Sequence, residues 1–119
     1  GPPTYPTIET YQKLGFEDVY CSPAVVDYSR VWPDYAMTFR GVRGFFRWGA
    51  KRDCGGAYCT TWEFMKGALV ENSMYGLLYA AECAWNPQST SRREFDRRFG
   101  AWWFGLDAKD AALCAQTLF

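Results

Sequence analysis

The chain of 119 residues contains no histidine. This absence excludes Ser-His-Asp and Cys-His catalysis and every metal site that relies on histidine ligands. An excess of one charge is also lacking, because 13 basic residues balance 13 acidic residues. Dedicated binders of nucleic acid or anionic membranes carry a basic excess, so we expect neither partner. No apolar run approaches the roughly 18 residues of a transmembrane helix, and we expect none.

Cysteine is present at an odd count of five, and no two cysteines form a CxxC pair. At least one thiol is therefore free or pairs with another chain. We interpret the cysteines as small buried apolar residues, which is the state typical of cysteines in a reducing compartment. The alternatives are a bridge between Cys54 and Cys59, and a redox or metal protein that uses all five. We expect no metal and no cofactor, and the compartment cannot be read from the sequence.

Aromatic residues are unusually frequent, at 19% of the chain. Together with an apolar content of 49%, they predict one ordered domain over residues 1–119 with a sizeable core. Six tryptophans in so short a chain also suit a surface that stacks flat ligands such as sugar rings.

Periodicity and turn residues predict the order helix, strand, helix, strand and three helices. The predicted helices are 8–14, 36–52, 70–85, 91–104 and 108–118, and the predicted strands are 16–26 and 57–63. Residues 1–7 are predicted to be extended, and Gly1 and Pro2 match what some tag-cleaving proteases leave. Thr7, Ser91 and Asp107 are the predicted helix caps. The alternation predicts an α/β fold with a parallel sheet, and the second strand is expected to be buried on both faces.

Polar and aromatic residues stand where the predicted strands end, which is where α/β folds bind ligands. Asp27, Tyr28 and Trp32 follow the first strand, and Trp62 and Glu63 end the second. An aromatic face packs against a sugar ring, and a carboxylate accepts hydrogen bonds from its hydroxyls, so this mixture predicts carbohydrate binding. The structural alternatives are a core tryptophan, a solvated strand end for Glu63 and a turn cap for Asp27.

A basic stripe lies on the predicted helix 36–52. Arg40, Arg43, Arg47 and Lys51 recur at i, i+3, i+7 and i+11, which places them on one helix face. Such a stripe could bind phosphate. We interpret it instead as a solvated face, because no excess charge elsewhere supports the alternative.

Three segments, in this order, resemble the end of the catalytic barrel of glycoside hydrolase family 20, the β-N-acetylhexosaminidases. KLGFEDVYCSPAVVDY resembles the seventh strand and its loop, and CGGAYCTTWEF resembles the eighth strand with its tryptophan and glutamate. YGLLYAAECAWNP, followed by REFDRRF, resembles the helices that come after. The resemblance runs from Thr4 to about Phe104.

The resemblance implies the last two βα units of a (β/α)8 TIM barrel over residues 8–85, followed by C-terminal helices over 91–118. In that family the acetamido group of the substrate attacks the anomeric carbon, assisted by an Asp-Glu pair on the fourth strand. Carried over, Trp62 would wall the acetamido pocket and Glu63 would bond sugar hydroxyls. Tyr28 would bond the acetamido oxygen, with Asp27 beside it. The family usually has Trp-x-Glu, whereas these two residues are adjacent here.

Nothing in this chain corresponds to the first six strands of such a barrel, and the catalytic Asp-Glu pair is absent. We therefore expect a fragment or truncated relative of an N-acetylhexosamine-specific hydrolase that is inactive alone and has no catalytic residue. The alternative is a small self-associating α/β binding or structural module. Open strand edges and apolar helix faces predict a homo-oligomer, unless the remainder of a barrel covers them. The residues expected to drive association are Phe39, Phe46, Trp48, Leu77, Leu78, Trp102 and Trp103.

Overall fold

The computed structural model describes residues 3–62, 69–88 and 91–118. The chain divides into two compact units, residues 1–88 and residues 89–119. The first contains α1 (Pro6–Lys13), β1 (Tyr20–Cys21), α2 (Tyr35–Lys51), β2 (Gly56–Ala57) and α3 (Val70–Trp85), and the second contains α4 (Arg92–Phe104) and α5 (Ala108–Leu118). The protein is therefore mixed α/β and mainly helical. Over the described ranges, no helix combines the length and apolarity needed to cross a membrane.

The two strands pair in parallel, as the alternation of elements predicted. Tyr20 lies opposite Gly56 in the register, and a separate bridge joins Ala24 to Thr60. Both strands are shorter than predicted. Pro23 lies between the two paired regions and has no N–H to donate, so it only accepts, from the Thr60 amide at 3.0 Å.

The expectation that the second strand is buried on both faces is wrong. Ala57 is exposed, and the Tyr58 side chain is 57% exposed. The physical reason is that, among the residues described, the sheet has only these two strands, so nothing beside β2 covers its outer side.

Local capping chemistry accounts for the starts of three helices. At α2 the Asp34 carboxylate accepts a hydrogen bond from the Met37 amide at 3.0 Å. At α4 the Ser91 hydroxyl accepts from the Glu94 amide at 3.2 Å, as predicted. At α5 the Asp107 carboxylate accepts from the next turn's amides, which include that of Asp110 at 3.0 Å. These bonds satisfy N–H groups that have no partner inside the helix.

The first helix begins earlier than predicted. It starts at Pro6, so Thr7 is not its cap and residues 1–7 are not extended throughout. Proline is tolerated here because the first helical N–H has no helical acceptor. Gly15, with a φ of 88°, follows the helix in the left-handed conformation that ends many helices.

Aromatic rings form the contact between α2 and α3. The Phe39 ring lies 4.0 Å from the Tyr79 ring and 5.1 Å from the Tyr75 ring, measured between centroids. Val25 and Val42, which belong to the same unit, are fully buried. A second cluster contains Ile8, Val19 and Cys21, with Tyr5, Phe45, Trp48 and Cys54 packed against it.

In the second unit, α5 approaches α4 at a glycine. Gly100 lies against the backbone of Ala111, where a side chain would not fit. Phe99 is buried and stacks on Trp103, with centroids 5.7 Å apart. Of the residues expected to drive self-association, Phe39 is buried, whereas Trp102 is 70% exposed. Self-association stays a prediction.

We predict that Gly76→Ala destabilises the chain by about 1–3 kcal/mol, because the added methyl group overpacks the core. A Cβ at Gly76 would lie 2.8 Å from Val25 and 3.2 Å from Thr38, whose branched side chains have little freedom to move. The matched control is Gly41→Ala on α2, where a Cβ meets nothing within 4 Å. That change should stabilise by about 0.5–1 kcal/mol. Urea unfolding measures both, and equal effects would contradict the packing argument.

Candidate functional site

A buried carboxylate joins the ends of both strands to the following helix. Asp27 is fully buried. Its Oδ1 accepts a hydrogen bond from the Trp62 amide at 2.9 Å, and its Oδ2 accepts from the Ser73 hydroxyl at 2.8 Å. The loop after β1, the segment after β2 and helix α3 are therefore held by one side chain.

The loop that carries Asp27 is also fixed from the side of α2. The Thr38 hydroxyl, fully buried, accepts from the Val26 amide at 2.9 Å, and the Asp34 amide donates to the Val26 carbonyl at 2.8 Å. The chain then turns through Ser29, which adopts a φ of 59°. This left-handed residue reverses the chain directly after Tyr28, so the Tyr28 backbone is positioned between two constrained points.

Three aromatic side chains follow the carboxyl ends of the strands and are about half exposed. The exposed fractions are 47% for Tyr28, 45% for Trp32 and 44% for Trp62. The Trp62 indole N–H donates to the Thr60 hydroxyl at 3.3 Å, and the Trp32 ring lies edge-on to Tyr35. These contacts orient the rings and leave aromatic surface open to a ligand.

The structure gives the sequence-predicted site residues different surroundings. Both Asp27 oxygens accept hydrogen bonds from the chain itself, so this residue positions Trp62 and is not displayed at the surface. The side chains of Tyr28 and Trp62 are about half exposed. Tyr28 follows Asp27 in the chain, and Trp62 is bonded to Asp27 through its backbone amide. Glu63 lies outside the described residues.

Burial also controls the protonation of the neighbouring Tyr35. Desolvation raises the pKa of its hydroxyl well above the usual value, and the negative charge of Asp27 raises it further. The phenol is therefore neutral at every physiological pH and acts as part of the core rather than as an acid or base.

All five cysteines carry free thiols, so the alternative bridge between Cys54 and Cys59 is not formed. The Cys54 sulfur instead lies 3.8 Å from the Cys21 sulfur. Gly49 makes room for this contact, because a Cβ at that position would come within 2.6 Å of the Cys21 sulfur. In the parts of the chain that the structure describes, no three cysteine or carboxylate groups are placed to hold a metal ion.

Sequence reasoning missed Ser73 and Thr38, which fix the site from α3 and α2. Each is a hydroxyl on the apolar face of a helix, and both are fully buried. A buried hydroxyl needs a hydrogen-bond partner, so such a residue signals a polar contact across the core. Its spacing does not identify that partner.

Comparison with known proteins adds no relative: neither a family model, nor a curated protein, nor a solved structure matches the chain.

We predict that Asp27→Ala destabilises the chain by about 3 kcal/mol, because it leaves the Trp62 amide and the Ser73 hydroxyl without their buried acceptor. Asp27→Asn should cost less than half as much, since the amide oxygen can accept from Trp62 and the amide nitrogen can donate to Ser73. Asp18→Ala, at an exposed carboxylate, is the control and should change stability by less than about 0.5 kcal/mol. Chemical unfolding followed by far-UV circular dichroism measures all three. Equal costs for Asp27→Ala and Asp18→Ala would contradict the bridging role.

Proposed function

We propose that the chain forms the last two βα units of a (β/α)8 barrel of the family 20 β-N-acetylhexosaminidase type. It would carry part of the sugar-binding wall and would need the remainder of a barrel for hydrolysis. The order β1, α2, β2, α3 supports this proposal, because consecutive strands of such a barrel are parallel neighbours separated by a helix.

The observation that carries the proposal is the hydrogen bond between Asp27 and the Trp62 amide. It ties together the two segments that leave the carboxyl ends of the strands, which is the end where barrel enzymes bind substrate. Tyr28 and Trp62 lie on these two segments, and the side chain of each is about half exposed. An indole face packs against the apolar side of a sugar ring, and a phenol hydroxyl can donate to an acetamido oxygen.

The residue roles follow from this placement. Trp62 serves as a wall of the acetamido pocket, and Tyr28 bonds the acetamido oxygen. Asp27 is a positioning residue that acts through Trp62. Glu63 is proposed as the partner of sugar hydroxyls. The ligand is an N-acetylhexosamine.

Catalysis requires groups beyond this wall. Hydrolysis of a glycosidic bond needs a proton donor for the leaving oxygen, and the substrate-assisted route also needs a carboxylate that orients the acetamide. In the family this pair is on a strand that has no counterpart in the chain. The chain therefore contributes substrate binding and not proton transfer.

We predict that free N-acetylglucosamine binds with a Kd of roughly 1–10 mM, because a half-enclosed ligand gains little over its lost freedom. Chemical-shift perturbations should centre on Tyr28 and on the Trp62 indole N–H. Trp62→Ala should abolish them. Trp85→Ala, at a side chain that is 93% exposed on α3, should leave them unchanged. Perturbations that cluster away from Tyr28 and Trp62, or that survive Trp62→Ala, would overturn the proposed site.

We also predict that the chain alone does not cleave aryl N-acetylglucosaminides, since no acid pair assists the acetamido group. Release of the aryl alcohol, followed by absorbance, should not exceed that of a heat-denatured sample. Turnover that Glu63→Gln abolishes would contradict both the fragment interpretation and the residue roles.

A second candidate is a small self-associating α/β module that binds a ligand or a protein without hydrolysis. It is favoured by large apolar side chains on the surface, among them Trp85 on α3 and Trp102 on α4. Exposed aromatic area of this kind marks interaction surfaces. Absence of any response to N-acetylglucosamine would shift the assignment to this candidate.

A further inference from the structure

A basic groove runs along α2, and the proposed function does not use it. Its volume is about 690 Å³, which is the size of small-molecule binding pockets. Its lining includes Arg40, Arg43, Arg47, Lys51, Trp48 and Gln88. The basic stripe, which the sequence analysis interprets as a solvated helix face, therefore lines a concave surface.

The two central arginines are held by one backbone carbonyl. The Pro87 carbonyl oxygen accepts from the Arg47 Nε at 2.9 Å and from the Arg43 Nε at 3.4 Å. Two like charges are thus kept side by side at the groove. These two bonds use the Nε atoms, and each guanidinium has further N–H groups that can donate to a ligand. Arg43 also lies beside the Tyr79 hydroxyl.

Ion pairing separates this stripe from most of the other arginines of the described residues. Among the described residues, none of its four cations forms an ion pair, whereas five other arginines do. Those five are Arg30, Arg52, Arg92, Arg97 and Arg98. The chain has zero net charge, and four of its 13 basic residues line this groove. Convergent cations without a counter-charge attract an anionic ligand.

The spacing of the cations indicates the kind of anion. Arg40 and Lys51 are eleven positions apart, which is roughly 16 Å along a helix that rises 1.5 Å per residue. One phosphate reaches only part of this length. The planar guanidinium fits phosphate oxygens in a bidentate manner. We propose that the groove binds a small ligand that carries two or more phosphate groups in a chain.

This site is separate from the proposed sugar wall. Helix α2 begins after the carboxyl end of β1 and ends before β2 begins. Arg47 and Lys51 therefore lie toward the amino ends of the strands, whereas Tyr28 and Trp62 follow their carboxyl ends. The two sites can be tested independently.

The test is calorimetric titration of the full chain with inorganic tripolyphosphate. Arg40→Gln combined with Arg47→Gln should weaken binding at least about tenfold, because two charge-assisted contacts are lost. The matched control is Arg93→Gln combined with Lys109→Gln in the second unit, which removes the same charge and should change affinity less than about twofold. If the first pair impairs folding, Arg40→Gln with Lys51→Gln makes the same test at exposed side chains.

The location and class of ligand are checked on the same samples. Tripolyphosphate should shift the Trp48 indole N–H signal, and orthophosphate should bind at least about tenfold more weakly. Equal weakening in the groove and control variants would mean general charge attraction and would overturn the site. Equal affinity for orthophosphate would overturn the assignment to a phosphate chain. Tighter binding of a single-stranded oligonucleotide would replace it with nucleic acid. Response to N-acetylglucosamine should be unaffected by the groove variants.

Discussion

The buried carboxylate of Asp27 is the interaction on which the arrangement of the first unit depends. It bonds Trp62 and Ser73, which lie 35 and 46 residues further along the chain. A buried charge is costly unless hydrogen bonds compensate it, so the native contacts are the arrangement that satisfies this group. The paired strands contribute only two residues each, which makes a side-chain bridge between their ends especially important.

Helices were predictable because their signals are local. Apolar spacing and the residues that cap them lie within a few positions of each other, and the predicted bounds of α3 and α5 agree with the structure. Strand length was not predictable from the same information. It depends on a partner elsewhere in the chain, and within the predicted strand 16–26 only Tyr20–Cys21 and the separate bridge at Ala24 are paired. The sequence therefore predicted strands close to where β1 and β2 lie, but it predicted strands that are too long.

The candidate site was predictable to the same degree. Residue type and the rule for strand ends predicted that Tyr28 and Trp62 are accessible, and the side chains of both are half exposed. That they bind a sugar stays a prediction. The internal role of Asp27 was not predictable, since nothing local points to Ser73. Likewise, helical spacing identified the basic stripe on α2. It did not reveal that the Pro87 carbonyl gathers two of its guanidinium groups, because that contact joins residues 40 or more positions apart.

The contact between Cys21 and Cys54 has a consequence for the chemistry of the thiols. Burial, together with the neighbouring sulfur, raises the pKa of Cys21 to about 12. The nucleophilic form of cysteine is the thiolate, which is then scarce at neutral pH. We therefore expect Cys21, which is buried, to react slowly with alkylating reagents in the folded chain and faster when the core around it opens. The rate at which Cys21 is alkylated would therefore measure how often the contacts between β1 and the end of α2 open.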